Sequence, residues 1–321
     1  MNALQSIKTA LSDDIQRLNS LIRENLSSSN VLMDSVIERY LTTKGKQIRP
    51  IIVMLCASMF GSIDRRVLDA AAAVELLHNA SLIHDDVVDD SKMRRRQPTI
   101  NAVWDNHIAV LVGDFFVSTA LQRAIATGDL RIINEIGKLG KLLSLGEIDQ
   151  IYNAREHTLN EEAYFKIIDY KTASLFVACA RVGCYSVGAS DADTDTLSEI
   201  ARLLGLCFQI RDDVFDYFDA DTVGKPTGND LREGKITLPL LYALGHNDDE
   251  AMHALAAQEC LADSDIAILT AFARNNGGIE YAYNRMAQLR DQAVALLDRL
   301  PACPAADQLR QLFDYIITRD F

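Results

Sequence analysis

Two stretches of the chain repeat one spacing of aspartates. LIHDDVVDDSKMRRRQPT (82–99) carries Asp85, Asp86 and Asp89, and FQIRDDVFDYFD (208–219) carries Asp212, Asp213 and Asp216. On an α-helix, residues four apart share a face. Asp85 with Asp89, and Asp212 with Asp216, therefore make two carboxylate pairs, with Asp86 and Asp213 at their shoulders. Crowded carboxylates repel one another unless a cation joins them. All-oxygen donors suit Mg2+ or Mn2+ rather than a thiolate-bound metal, and few protein ligands per ion leave positions for water or phosphate oxygens. A single DDxxD is ordinarily a solvated acidic helix end. Two copies, each following a strongly apolar helix, point instead to metal binding at the ends of buried elements.

Basic residues accompany the acids. Arg94, Arg95 and Arg96 follow the first motif and offer planar forks matched to phosphate oxygens. TKGKQIRP (43–50) adds Lys44, Lys46 and Arg49 at a glycine-containing turn, and Pro50 fits the first turn of a helix. DYKTASLF (169–176) sets Lys171 and Thr172 in an otherwise apolar helix, where a lysine is costly unless paired or facing a ligand. Lys225 and Lys235 lie in DADTVGKPTGNDLREGK (219–235), a glycine-containing segment directly after the second motif that is expected to be a long loop. Each cation alone is more often a solvated surface charge. Together with two acid clusters they describe a diphosphate site, with metals on one side, cations on the other and apolar helices behind.

The elements that must carry these residues are helical. Leu4, Ile7, Leu11, Ile15, Leu18, Leu21 and Ile22 recur at three- and four-residue steps, as do Val67, Ala70, Ala71, Val74, Leu77 and Leu82. Segments 108–125, 130–152, 164–182, 196–217 and 281–300 read the same way, and no sustained period-two run is bounded by hairpin signals. The expectation is an all-α fold of roughly a dozen helices. The breaks at 27–30, 275–278 and 301–304 are short, so one domain spanning residues 1–321 is expected.

Composition narrows the function. A formal charge of −13 over 321 residues argues against general nucleic-acid affinity but leaves room for a small anion held by a local basic cluster. The six cysteines form no CxxC and no ligand spacing with histidine, which reads as free, mostly buried thiols in a reducing compartment. With no basic region leading into an apolar N-terminal run, a cytoplasmic protein is expected.

The motifs GKQIRP (45–50), LIHDDVVDDSKMRRRQPT, VGDFF (112–116), GEIDQ (146–150), YKTASLF (170–176), FQIRDDVFDYFD and GKPTGNDLREGKITLPL (224–240) resemble, in order and spacing, those of the trans-isoprenyl diphosphate synthases, the polyprenyl synthase family. The likeness runs over essentially the whole chain and is greatest to the octaprenyl-type members that supply quinone side chains. It implies an isoprenoid-synthase-type helical bundle around a central cavity, a homodimer, and three Mg2+ ions gripping an allylic diphosphate. The implied metal set is Asp85, Asp86, Asp89, Asp212 and Asp216, with Asp213 and Lys171 also catalytic. Lys46, Arg49, His78 and Arg95 match positions that hold isopentenyl diphosphate. Arg94, Lys171, Thr172, Gln209 and Lys225 match the allylic side, and Lys235 a further lysine of the flap. Lys44 and Arg96 depart from the family, which often has glycine there. A transient membrane-surface contact for release of a long apolar product goes with this picture.

The implied reaction is ionisation of the allylic C–O bond, attack by the isopentenyl double bond, and proton loss to give a trans product one isoprene longer. A class I terpene cyclase would carry an NSE/DTE-type second motif, and a head-to-head synthase would use DxxxD pairs. A non-catalytic subunit of a heteromeric synthase would usually lose one acid motif. Product length is legible at one place. Counting back along the Asp85/Asp89 face gives Ser81, His78 and Val74. At about 1.5 Å per residue, Ser81 and Ala80 lie roughly 6–8 Å from the metal site. Short-chain relatives carry an aromatic residue at one or both positions, so two small residues predict a medium or long product rather than a farnesyl or geranylgeranyl chain. Close packing of two helices would also require small residues there.

Overall fold

The computed structural model describes residues 3–42, 45–95, 97–156, 159–218, 227–258 and 260–318. In chain order the elements are α1 (Ala3–Ala10), α2 (Ser12–Leu26), α3 (Val31–Thr42), α4 (Ile48–Ser58), α5 (Arg65–Val88), β1 (Met93–Arg94), β2 (Gln97–Pro98), α6 (Ile100–Val103), α7 (Asn106–Ala126), α8 (Leu130–Arg155), α9 (Glu161–Ile168), a π-helical turn (Asp169–Ala173), α10 (Ser174–Val187) and α11 (Asp191–Phe215). There follow α12 (Asn229–Arg232), α13 (Leu238–Gly245), α14 (Glu250–Ala256), α15 (Asp263–Asn275), α16 (Gly278–Leu297) and α17 (Pro304–Thr318). The all-α expectation holds. The N-terminal stripe is cut at Leu11 into two helices, and both segments bury the predicted face through Leu4, Ile7, Leu18, Leu21 and Ile22.

Two differences concern the site. The expected loop 219–235 contains a one-turn helix, α12, while 219–226 lie outside the described residues. A two-residue antiparallel ladder pairs Met93 with Pro98 and Arg94 with Gln97. Strands this short carry no alternation for a sequence pattern to detect.

The described residues fall into two compact units, each assembled from three separate stretches: 1–140, 175–198 and 300–309 in one, and 141–174, 199–299 and 310–321 in the other. In the first, α5 packs along α7 and against α4 and α2. Ala70, Ala71, Ala72, Ala73 and Val74 are fully enclosed, because a run of small side chains lets neighbouring helices approach closely. Asp64 starts α5 by accepting from the Val67 N–H, and Asp105 starts α7 by accepting from the Ile108 N–H. Pro50 sits in the first turn of α4, where an amide hydrogen would have no intrahelical acceptor.

In the second unit, α13 packs on α15 and α16. Tyr217, Leu231, Leu240, Leu244 and Leu269 form its core. The buried Tyr217 hydroxyl is satisfied by Thr237 Oγ1 at 2.9 Å. Of the cysteines, Cys56, Cys179, Cys184 and Cys207 are buried thiols, and none is in a disulfide.

Candidate active site

In the first unit the acid motif ends α5. Asp85 and Asp86 occupy its last turn and Asp89 is its C-cap. The helix closes as a Schellman motif: Ser91 N–H donates to Asp86 O at 2.9 Å and Asp90 N–H to Val87 O at 3.3 Å. Asp90 takes the left-handed position usually given to glycine, at φ 49°. Asn101 then donates from Nδ2 to Asp86 O and Ser91 O, tying the turn to α6. The result holds Asp89 exposed, Asp85 half-buried and Asp86 buried. Asp86 Oδ1 accepts from Arg94 Nε at 2.8 Å. Burial raises the Asp86 carboxyl above its ordinary range, and Arg94 opposes that rise.

The basic residues of this unit converge from three elements. Arg49 is on α4, His78 on α5, and Arg94 and Arg95 on the β1 turn. The Arg49 guanidinium lies over the Phe176 ring at 5.7 Å. Arg95 is exposed, at φ 52°. Its guanidinium rests against Gly45, where an added Cβ would stand 2.6 Å from Nη2, so the glycine of GKQIRP makes room for the arginine. His78 is buried, and burial followed by the charges of Arg49, Arg95 and Arg94 hold its imidazole well below the ordinary histidine range. It is therefore neutral at pH 7 and presents one donor and one acceptor. Lys46 is exposed, and Lys44 and Arg96 lie outside the described residues. Arg94, Arg95 and Asp86 line a small cavity of about 70 Å3 with Tyr40 and Asn79.

Glu75 belongs with this group and went unassigned in the sequence. It stands three residues before His78, its Oε2 is enclosed without a hydrogen-bond partner, and burial raises its carboxyl against the pull of Arg49 and Arg95. A glutamate three residues before His78 on the same predicted helix was the available signal.

In the second unit, Lys171, Thr172, Gln209, Asp213 and Lys235 line one cavity of about 180 Å3, together with Tyr164 and Asp230. Thr172 Oγ1 donates to Gln209 Oε1 at 2.6 Å, and Gln209 Nε2 donates to Asp213 Oδ1 at 2.8 Å. The Tyr164 hydroxyl donates to Asp213 Oδ2 at 2.6 Å. The Asp213 carboxyl is pushed up to about 7, by burial first and by the charges of Asp212 and Asp216, against the opposing hydrogen bonds of Tyr164 and Gln209. Burial and the neighbouring Asp213 and Asp216 raise Asp230 in the same direction. Lys171 and Thr172 sit in the π-helical turn, a wider turn that recurs at functional sites.

The second acid motif departs from the expected helical pair. α11 stops at Phe215, and Asp216 N–H turns back to Asp213 O at 3.1 Å. Asp216 is bonded by residues 228–230: its O accepts from Gly228 N–H at 3.1 Å and its Oδ2 from Asp230 N–H at 2.9 Å. Lys235 pairs with Glu233, and Lys225 lies outside the described residues. Tyr164, Asp230 and Glu147 are site residues the sequence reading did not assign. Tyr164 stands two helical turns before Lys171, the only sequence signal it offered.

The donors fit a hard cation. They are carboxylate oxygens, crowded enough that burial and mutual charge push Asp213 and Asp230 toward protonation, a strain that a divalent ion would relieve. Among the described residues no three metal-type side chains close a cage, so an ion here would complete its shell with water or ligand oxygens.

Ala80 is fully enclosed and Ser81 half-buried, with its hydroxyl donating to His78 O at 2.8 Å. Enclosure of Ala80 is the packing requirement for a small residue. Ser81 has the position on the Asp85 face.

A polyprenyl synthetase family model matches residues 30–270. The chain is 33% identical over 320 residues to the octaprenyl diphosphate synthase of Escherichia coli (strain K12), covering 99% of each. Among solved structures it resembles a polyprenyl synthase from Caulobacter crescentus CB15 complexed with calcium and isoprenyl diphosphate, with TM-score 0.91, 30% identity, and 99% and 98% of the two chains covered. It also resembles a geranylgeranyl pyrophosphate synthase from Bacteroides thetaiotaomicron, with TM-score 0.87, 37% identity, and 99% and 100% covered. A chain helical apart from one short ladder, with two DDxxD motifs and their cations, matched over its length by these enzymes, belongs to the polyprenyl synthetase family and is a prenyltransferase.

Proposed function

We propose that this chain condenses isopentenyl diphosphate head to tail onto an allylic diphosphate and stops at an octaprenyl-like product destined for a quinone side chain. The observation that carries the proposal is the second-unit cavity. Lys171, Thr172, Gln209, Asp213 and Lys235, scattered over 65 positions of sequence from 171 to 235, line one space with cations and carboxylates together.

Asp85, Asp89, Asp212 and Asp216 are assigned as ligands of Mg2+, three ions per site. Asp86, buried beside Arg94, and Asp213, buried beside Tyr164 and Gln209, are assigned to orient the ligand set. Bound Mg2+ would draw off charge building on the departing diphosphate. Lys171 and Lys235 bind that diphosphate, and Thr172 and Gln209 fix its orientation. Arg49, Arg95, Lys46 and neutral His78 are assigned to isopentenyl diphosphate, and Arg94 and Lys225 to the allylic diphosphate. The acceptor of the final proton is the released diphosphate, so no protein base is required. Product length favours the longer reading because Ser81, on the Asp85 face, is small. The 37% identity to a geranylgeranyl synthase is the observation for a shorter product.

A homodimer is proposed from α7, whose exposed face carries Val110, Val117, Leu121 and Ile125 at helical spacing. By length and composition α7 is also the one described helix apolar enough to cross a membrane. Its packing along α5 favours a covered helix of a globular protein. A cytoplasmic location, with brief membrane contact for product release, completes the reading. The test is incorporation of labelled isopentenyl diphosphate by the purified chain alone with Mg2+ and farnesyl diphosphate. Chain-elongated products are expected. No incorporation without a second protein would leave only a subunit role.

A further inference from the structure

The lysine assigned to the allylic diphosphate is already held by a counter-ion. Lys171 Nζ lies 2.5 Å from Glu147 Oε2 and 3.2 Å from Gln150 Oε1. Both charged side chains are mostly enclosed, Glu147 at 14% exposure and Lys171 at 27%. Two backbone features create this pair. The π-helical turn at Asp169–Ala173 carries Lys171 off the regular helical track. Gly146 lets α8 approach that turn so closely that an added Cβ would stand 2.8 Å from Lys171 N. The residue after that glycine is Glu147, so close contact of the two backbones delivers a carboxylate to the ammonium. Gln150, one helical turn further along α8, adds a neutral acceptor and lines the same cavity.

We infer that Glu147 is a positioning residue that sets the charge of the allylic diphosphate site through Lys171. The inference rests on the assignment of Lys171 above. The hydrogen bond to Gln150 Oε1 orients the ammonium, and the carboxylate lies against it as a counter-ion. The carboxylate offsets much of the ammonium's charge, so an incoming diphosphate meets a weaker attraction and a like charge close behind. In a partly enclosed site such repulsion is screened far less than in water. Primer and released diphosphate present the same anionic group to Lys171. An uncompensated lysine would bind both tightly, and tight binding common to ground state and product slows turnover rather than aiding the bond-breaking step. Glu147 therefore limits affinity in order to preserve release.

Glu147→Gln keeps the side-chain shape and an oxygen acceptor for Lys171 while removing the charge. Titration calorimetry with inorganic diphosphate and Mg2+ should show binding tightened by about tenfold. Steady-state kinetics should show KM for the primer and kcat falling together, with KM for isopentenyl diphosphate unchanged. Glu147→Asp, which retains the charge, should bind inorganic diphosphate more weakly than Glu147→Gln. Gln150→Glu adds a second carboxylate beside Lys171 and should weaken diphosphate binding, which keeps the inference open to refutation should Glu147→Gln fold poorly. In a Lys171→Met background Glu147→Gln should have no further effect, because its influence passes through the lysine. Weaker or unchanged diphosphate binding in Glu147→Gln, or tighter binding in Gln150→Glu, would overturn the inference alone. Undiminished diphosphate binding in Lys171→Met would overturn the assignment of the lysine, and with it the role of its counter-ion.

Discussion

At the end of α5, Asp86 is paired with the guanidinium of Arg94 at 2.8 Å. At the end of α11, the equivalent Asp213 is held by two neutral donors, the Tyr164 hydroxyl at 2.6 Å and the Gln209 amide at 2.8 Å. The flanking aspartates differ as well. Each lies one residue past its helix, but Asp89 is exposed and its N–H keeps the helical bond to Asp85 O, whereas Asp216 N–H bonds Asp213 O and Asp216 accepts the backbone N–H groups of Gly228 and Asp230. Four residues before each motif stand Ser81 and Phe208, a small side chain on one helix and a bulky one on the other. The same letters at the same spacing thus sit in a charge-compensated turn in one case and a buried, neutral hydrogen-bonded turn in the other. The middle aspartates differ in the charge of their partners, and the last aspartates in exposure and backbone contacts.

The largest effect should come from the first aspartate of each motif. Asp85→Ala and Asp212→Ala are each expected to lower kcat by on the order of a thousandfold or more while the circular dichroism spectrum is retained. A loss confined to one of them would break the equivalence of the motifs. Next is product length, proposed above to be governed by Ser81 on α5. Ser81→Tyr should give a much shorter chain by chromatography of the dephosphorylated products, and Phe208→Ala should leave the length distribution unchanged. An unaltered distribution in an active Ser81→Tyr variant would remove that wall from α5.

Breaking the partners of the middle aspartates should separate the motifs further. Arg94→Ala leaves Asp86 without its cation and should cost about 1–2 kcal/mol in chemical denaturation, reduced by the partial exposure of Arg94. Tyr164→Phe removes one neutral hydrogen bond and should cost about 1 kcal/mol. Added salt should weaken the wild-type advantage over Arg94→Ala and leave that over Tyr164→Phe unchanged.

The smallest effect is in pH dependence. Asp213 is pushed up to about 7 from an ordinary 3.8, by burial first. The folded chain then keeps a proton that the unfolded chain releases. The contribution to stability is complete below the unfolded value and is lost as pH rises through the folded one. In chelator, the wild-type melting temperature should decline between about pH 4 and pH 7, and Asp213→Asn should flatten that decline. Asp86→Asn should flatten it less, because Arg94 opposes the rise at Asp86. Equal slopes for the two variants would erase the distinction drawn between charged and neutral partners.

The sequence by itself determined the helical class, the breaks, the two acid motifs and the identity of most cations. It could do so because helical periodicity, turn chemistry and i, i+4 spacing are local properties of the chain. The apolar face of α5 and the proline in the first turn of α4 were legible for that reason. The tertiary structure alone decided which aspartate each cation neutralises and where each helix stops. Arg94 meets Asp86 through a two-residue ladder too short to leave a pattern, and α11 ends at Phe215 where an unbroken i, i+4 pair was expected. Tyr164 reaches Asp213 across 49 residues, and Glu147 reaches Lys171 because Gly146 permits two backbones to touch. Such pairings depend on desolvation and on close approach between distant segments. Both are set by how helices pack, and neither is written in the spacing of residues along one helix.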